Sequence, residues 1–241
     1  RRPTAPFLLP LLWRRPALDA AFLRALLQML PLEALATLLY VRALRLSPLS
    51  LTLPLLSLTP VFSLLTALLL LGEVPGRSGL AGVAMVAAGG YLLQASERRH
   101  GPLAPLRAVL REPGSRLMMG VAFIYSLTSA LGKVAALHSE PQFFGALYTL
   151  AMSASLWPLA AGRRARAPRG ELVLLGALHA LMVWLHWQAI CLTQVSYMIA
   201  LKRTSLLFGT LYGGLLFGEE HLGERLAGGA LMALGAALIA L

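Results

Sequence analysis

The sequence contains few charged side chains and a single cysteine. Charged residues make up 13% of its 241 residues, whereas soluble domains carry about 25%. Cys191, being alone, excludes an internal disulfide and any metal cluster built from cysteines. Acidic residues are scarcer than basic ones, with 10 Asp and Glu against 21 Lys and Arg. These shortages argue against a soluble domain, a disulfide-stabilised fold and a cysteine metal centre.

Apolar residues, in contrast, are abundant. They form 58% of the chain, and the mean hydropathy is +0.72. This composition is typical of a membrane protein whose length is counted in spans of about 20 residues. The net charge of +11 does not indicate nucleic-acid binding, because the arginines cluster in short gaps between apolar runs. We expect an integral, multi-pass protein of the plasma membrane or an organelle membrane.

Hydropathy predicts eight complete transmembrane helices, since a lone apolar segment in lipid satisfies its backbone only as a helix. The predicted spans are 22–44, 49–71, 78–95, 116–137, 142–161, 170–191, 196–217 and 222–241.

The chain begins with Arg1, and its first apolar stretch, residues 6–13, is too short to cross a bilayer. We interpret residues 1–21 as a basic flank with the remnant of a truncated helix. The true N-terminus is therefore expected to be missing.

An internal repeat is the most informative feature of the sequence. An offset of 146 residues aligns 24–95 with 170–241 without a gap, and 22 of the 72 positions are identical. Matches other than leucine and alanine carry the most weight; they are Ser50 with Ser196, Phe62 with Phe208, Gly72-Glu73 with Gly218-Glu219, Gly82 with Gly228, and Gly89 with Gly235. A repeat unit with an odd number of helices enters the bilayer upside down in its second copy. Inverted repeats of this kind are typical of secondary transporters.

Residues 58–94, "LTPVFSLLTALLLLGEVPGRSGLAGVAMVAAGGYLLQ", and residues 205–241, "SLLFGTLYGGLLFGEEHLGERLAGGALMALGAALIAL", resemble two copies of the EamA-domain signature. In each copy a helix ends in Gly-Glu, a short loop follows, and a second helix is punctuated by glycines. The EamA domain belongs to the drug/metabolite transporter superfamily.

This resemblance implies ten helices in two inverted five-helix repeats around a central cavity, of which eight are present. Residues 22–95 are then the last three helices of the first repeat, 96–115 a basic loop, and 116–241 the complete second repeat. The family usually keeps both termini inside, whereas the arginine bias of the loops predicts the opposite orientation.

The repeated glycines, Gly82, Gly89, Gly228 and Gly235, place bare backbone on one helix face and are predicted to serve helix packing. Glu73 lies at a helix end, where capping or solvation is the expected role.

Two adjacent cations, Lys202 and Arg203, lie inside the apolar run of the predicted span 196–217, about 9 Å from its start. An ionisable group at membrane depth costs on the order of 3 kcal/mol and usually faces a cavity. We predict that one or both bind an anionic group of the substrate. Lys133, near the end of the span 116–137, is a third candidate. Snorkelling to the interface is the alternative for all three cations.

The repeat offset also pairs Glu33 with His179. A carboxylate and an imidazole at equivalent membrane positions are candidates for proton coupling, and satisfied polar contacts between helices are the alternative. Tyr40 and Tyr125 are polar candidates for the cavity wall and hence for substrate binding.

The sequence contains none of the enzymatic motifs considered: no paired acidic motif, no metal-spaced histidine pair, no nucleophile elbow and no phosphate-binding loop. We therefore expect no catalytic residue, no metal site and no cofactor. The predicted function is secondary transport, as an exporter or exchanger, of a small polar solute, anionic or zwitterionic, by alternating access. A non-transporting membrane scaffold or regulatory subunit is the alternative. The expected partners are membrane lipid, a small-molecule substrate, a coupling proton and a second copy of the chain, and no nucleic acid.

Overall fold

The structure, a computed structural model, describes residues 5–13, 16–47, 52–95, 107, 111–155, 169–205, 208 and 222–240. Within these residues the regular secondary structure is helical. The α-helices are α1 (Ala5–Leu8), α2 (Ala20–Leu46), α3 (Thr59–Leu71), α4 (Arg77–Ala95), α5 (Pro113–Leu137), α6 (Pro141–Ser155), α7 (Arg169–Leu192), α8 (Val195–Arg203) and α9 (Leu222–Ala240). The 3-10 segments Leu9–Trp13 and Leu53–Leu58 follow α1 and precede α3.

Four described segments are long and apolar enough to cross a membrane; they are Ala20–Leu46, Leu53–Leu71, Pro113–Leu137 and Gly170–Leu192. A shorter apolar helical segment covers Ala227–Ile239. Leucines on the outer faces of these helices are strongly exposed, among them Leu27, Leu69 and Leu175. Exposed leucines are expected where a helix contacts lipid. The fold is that of an all-helical polytopic membrane protein.

A helix lies within each of the eight predicted spans, so the predicted helical class is confirmed. The count of eight complete spans stays a prediction, because four described segments meet the length and composition of a full crossing. Most of the predicted basic loop 96–115, the second half of the span 196–217, and Ser50 and Gly218-Glu219 of the repeat lie outside the described residues.

The chain divides into two compact units. The first unit comprises Arg1–Ala34 and Leu131–Thr193, and the second comprises Leu35–Ala130 and Gln194–Leu241. The first unit has an aromatic core around Trp187 of α7, which is 3% exposed. The Phe144 ring packs against the Trp187 indole with centroids 4.6 Å apart, and Phe22 packs against Phe144. Gly132 and Gly145 leave room for the indole, since a Cβ at either position would lie within 2.5 Å of a Trp187 atom.

In the second unit, α4 packs closely against α9. A Cβ at Gly82 would lie 2.6 Å from the carbonyl oxygen of Gly235, and a Cβ at Gly89 would lie 2.5 Å from that of Gly228. Because Gly82 meets the later glycine of α9 and Gly89 meets the earlier one, the two helices are antiparallel. Val83, Val86, Ala200 and Met232 form the fully buried cluster beside this contact.

The turn between α3 and α4 contacts the start of α8 in the second unit. Gly72 ends α3 in the left-handed conformation, with φ 67°, which glycine adopts without steric cost. The Glu73 carboxylate then accepts a hydrogen bond of 2.7 Å from the Val195 N–H. The Gln194 amide donates to the Val74 carbonyl. Glu73 therefore caps the amino end of α8, where backbone N–H groups lack helical partners.

A second polar contact joins α2 and α5 in the same unit. The Ser47 hydroxyl donates a hydrogen bond to the Glu112 carboxylate and accepts one from the Gly114 N–H. The carboxyl end of α2 and the start of α5 therefore lie at the same end of this unit.

Candidate functional site

Arg203 is the last residue of α8 and lies in the second unit. Its side chain is half-buried, and its Nη2 donates a hydrogen bond of 2.9 Å to the Thr59 hydroxyl. The Nε atom is buried and has no hydrogen-bond partner. Among the described residues, the Thr59 hydroxyl is the hydrogen-bond partner of this guanidinium, and no carboxylate forms an ion pair with it. The arginine therefore has a free, buried N–H donor and no counter-ion in the described part of the chain.

Thr59 holds the guanidinium from the start of α3. Its side chain is 1% exposed, and its hydroxyl donates a hydrogen bond of 2.6 Å to the Leu56 carbonyl. The 3-10 segment before α3 places this carbonyl within reach, since such a segment bonds residues three apart. Because its only proton is used on Leu56, the hydroxyl faces Arg203 as an acceptor.

Tyr40 of α2 and Tyr125 of α5 lie in the neighbourhood of Arg203. Both phenol groups lie close enough to the guanidinium to interact with it electrostatically. Both side chains are half-buried and pack on the apolar cluster that includes Leu55 and Met118. The structure thus brings together three residues that the sequence predicted separately, namely Arg203, Tyr40 and Tyr125.

Lys202 differs from its neighbour in its surroundings. Its side chain is exposed, and consecutive helical residues point about 100° apart. Lys202 and Arg203 therefore face different surroundings, and Arg203 is the cation held beside the two tyrosines. The role of Lys202 in substrate binding stays a prediction.

Lys133 lies in the first unit and is 7% exposed. Its Nζ donates a hydrogen bond of 2.5 Å to the Thr193 carbonyl, just after the end of α7. A cation at the carboxyl end of a helix satisfies unpaired carbonyls and opposes the negative end of the helix dipole. This contact gives Lys133 a structural partner, and its predicted binding role is untested.

Glu33 and His179, the predicted proton-coupling pair, are both half-buried members of the first unit. Each already has an interaction within the structure. An existing interaction is consistent both with proton coupling and with a polar contact between helices, so proton coupling stays a prediction.

Sequence analysis did not single out Thr59. The available signal was weak: the 146-residue offset pairs it with Ser205, so both copies carry a hydroxyl at this position. Buried threonines often bond only to their own backbone, and nothing in the sequence indicated a contact with Arg203. Within the described residues, no group of three or more His, Cys, Asp or Glu side chains is placed to hold a metal ion.

In the second unit, α4 packs on α9 and Arg203 bonds to Thr59. Comparison with known proteins indicates the kind of membrane protein that carries these features. Residues 3–94 match the EamA-like transporter family. Over these residues the chain is similar to EamA-like transporters, and this match supports an EamA-domain transporter of the drug/metabolite transporter superfamily.

The fold also resembles solved structures, and ten solved chains match it. One of them, a crystal structure, is 19% identical in sequence and has a TM-score of 0.69, over 94% of this chain and 77% of that chain. At this identity the likeness concerns the fold alone. No curated protein matches the sequence.

Proposed function

We propose that the protein is a secondary transporter, an exporter or exchanger, that moves a small anionic or zwitterionic solute by alternating access. Arg203 is the anchor for the carboxylate or phosphate of that solute. The family supports transport as the general activity. Arg203 supports the anionic character of the solute, and it is the observation on which the proposal rests.

A buried cation without a counter-ion is costly, because it loses hydration and gains no ion pair in return. The Nε–H of Arg203 is buried and unpartnered. A carboxylate or phosphate is the acceptor that a guanidinium binds best, with two parallel hydrogen bonds where geometry allows. A bound solute would therefore satisfy both the free donor and the charge. A non-transporting scaffold has no such requirement.

Tyr40 and Tyr125 complete the proposed substrate site as phenol donors and flat apolar walls beside the guanidinium. Lys202 is proposed as an additional cation for the solute, and the binding role of Lys133, in the first unit, stays a prediction. Glu33 and His179 are proposed to carry a coupling proton.

Alternating access is supported by the symmetry of the α4–α9 contact. The 146-residue offset exchanges Gly82 with Gly228 and Gly89 with Gly235. The observed contacts join Gly82 to Gly235 and Gly89 to Gly228. When each glycine is replaced by its repeat partner, the first contact becomes the second and the second becomes the first. Self-complementary contacts of this kind arise from a two-fold relation. Two-fold related, inverted repeats are the basis of rocking movements in secondary transporters.

The test is solute uptake by the purified chain in proteoliposomes, with radiolabelled succinate, glutamate and inorganic phosphate as probes. We expect wild-type uptake of at least one probe, with Arg203→Gln lowering it at least tenfold, since a hydrogen-bonded charge pair is lost. Arg203→Lys should be intermediate, because lysine keeps the charge and loses the fork of donors. Arg77→Gln, which removes an exposed arginine at the start of α4 in the same unit, is the matched control and should transport like the wild type.

Wild-type-like uptake by Arg203→Gln would remove Arg203 as the anchor. Absence of uptake of all three anions by the wild type would favour the scaffold.

A further inference from the structure

We infer that Thr59 is a positioning residue of the substrate site, which fixes the orientation of the Arg203 guanidinium so that its Nε–H faces the solute. This inference rests on the proposed function and adds a residue that does not itself touch the solute.

The hydroxyl of Thr59 makes two hydrogen bonds, one through its proton and one through a lone pair. It donates to the Leu56 carbonyl at 2.6 Å and accepts from Arg203 Nη2 at 2.9 Å. The side chain is 1% exposed, so water does not compete for the remaining lone pair. With its proton committed to the backbone, the hydroxyl offers a solute anion no donor, and it acts through Arg203 alone.

The guanidinium is planar, so a bond to one nitrogen limits the orientation of the whole group. The Thr59 bond engages Nη2, and the end of α8 determines where the side chain begins. The Nε–H, which has no partner, is then held in one direction. A donor that is oriented before the solute arrives binds it more tightly, because no side-chain freedom is lost on binding.

Thr66 provides a matched comparison on the same helix. Its side chain is also buried, at 3% exposure, and its hydroxyl donates to a backbone carbonyl, that of Ser126, at 3.3 Å. Its hydroxyl bonds to α5, whereas Arg203 bonds to Thr59. If Thr59 matters only as a buried hydroxyl of α3, replacement of either threonine should have the same effect.

The experiment compares Thr59→Val, Thr59→Ser and Thr66→Val in the proteoliposome assay, with the probe of largest uptake among succinate, glutamate and phosphate. Valine keeps the shape of threonine and removes the hydroxyl, whereas serine keeps the hydroxyl. We expect Thr59→Val to raise KM about tenfold, the loss typical of one hydrogen bond to a charged group. Vmax should stay within about twofold, because translocation still occurs once the solute is bound. Thr59→Ser and Thr66→Val should both keep the wild-type KM.

A double-mutant cycle tests whether Thr59 acts through Arg203. In the Arg203→Lys background, Thr59→Val should cause no further rise in KM, since the oriented guanidinium is already lost. Additive effects, or equal effects of Thr59→Val and Thr66→Val, would overturn the inference.

The two proposals fail differently. If Arg203→Gln abolishes uptake while Thr59→Val behaves like Thr66→Val, only the positioning role of Thr59 is wrong. If Arg203→Gln transports like the wild type, or no probe is taken up by the wild type, the proposed anion site is wrong and the inference is lost with it.

Discussion

Three cations with the same predicted role have different surroundings in the structure. Lys202 is exposed, Lys133 bonds to the Thr193 carbonyl, and Arg203 is held by the Thr59 hydroxyl beside two tyrosines. A hydropathy profile does not distinguish the three cations, because each interrupts an apolar run. Their partners distinguish them, and the partners lie far away in the sequence. At the scale of single residues, Arg203 is therefore the strongest candidate for substrate binding.

The Asp19 carboxylate shows how a charge at a helix end contributes to stability. Its Oδ1 accepts a hydrogen bond of 2.8 Å from the Phe22 N–H, and its Oδ2 lies 2.7 Å from Nδ1 of His138. The Phe22 bond, and then the His138 contact, lower the pKa of Asp19 below its ordinary value. A lowered folded-state pKa means that the ionised form stabilises the fold above the ordinary pKa. This stabilisation is lost as the pH falls through the folded-state pKa.

We predict that Asp19→Ala lowers the melting temperature in detergent at neutral pH, because the first turn of α2 loses its cap. The difference from the wild type should shrink as the pH falls below about 4, the ordinary pKa of an aspartate, and through the lowered folded-state pKa of Asp19. Asp19→Asn is the control for titration, since asparagine caps a helix equally well and carries no ionisable group. An Asp19→Ala difference that is constant from pH 7 to pH 3 would contradict this assignment.

At the scale of helices, the α4–α9 contact depends on glycines that leave no room for a methyl group. We predict that Gly89→Ala destabilises the protein by about 1–3 kcal/mol, because the new Cβ would meet the Gly228 carbonyl and Met232. Gly120→Ala in α5 is the matched control, since its Cβ would have nothing within 4 Å. It should be neutral or stabilising by up to about 1 kcal/mol, because alanine favours a helix over glycine. Unfolding in a denaturing detergent measures both. Equal effects of the two substitutions would show that the contact does not determine stability.

The helices and their order could be predicted from the sequence, because lipid allows a lone apolar segment only one regular structure. The starts of α2 and α4 lie within two residues of the predicted spans 22–44 and 78–95. The grouping of Arg203, Tyr40 and Tyr125 depends instead on which helices become neighbours. Neither apolar periodicity nor spacing along the chain carries that information, and the 22 identical repeat positions do not include Arg203, which the offset pairs with Ser57.

Glu73 illustrates the same limit within one motif. Its position after α3 predicted a cap or a solvated charge, and the structure shows that it caps α8. The type of interaction was predictable from the helix end. Which helix Glu73 would cap was not predictable, because Val195 lies 122 residues further along the chain.

At the scale of the whole molecule, contacts inside the second unit support a crossing by α4. The segment from Thr52 to Leu71 leads from Ser47 to the turn at Glu73, and α4 starts beyond this turn. Near the end of α4, Gly90 lies beside Ser57 of the 3-10 segment that begins this stretch, since a Cβ at Gly90 would be 3.0 Å from the Ser57 hydroxyl oxygen. The 19 residues of α4, about 28 Å at 1.5 Å per residue, therefore join opposite ends of this unit, although α4 is not among the four segments that qualify by length and composition.

The order of crossings can be tested with single cysteines in a Cys191→Ser background. Val74, Arg111, His138 and Glu171 are suitable sites, because each lies in or beside a connection between helices. If every predicted span crosses, Val74→Cys and His138→Cys should react with a membrane-impermeant maleimide from one side. Arg111→Cys and Glu171→Cys should react from the other side. Intact cells and inverted vesicles present the two sides in turn.

Crossing by only the four long apolar segments predicts a different pattern. The chain would then stay on one side from Val74 to Arg111, so these two cysteines would react together, opposite to His138 and Glu171. Reaction of Arg111→Cys from the side opposite to Val74→Cys would support a crossing by α4 and hence the three-helix end of the first repeat. Reaction of Arg111→Cys and Val74→Cys from the same side would show that α4 does not cross the membrane. The two repeats would then not be inverted copies, and alternating access through them would lose its structural basis.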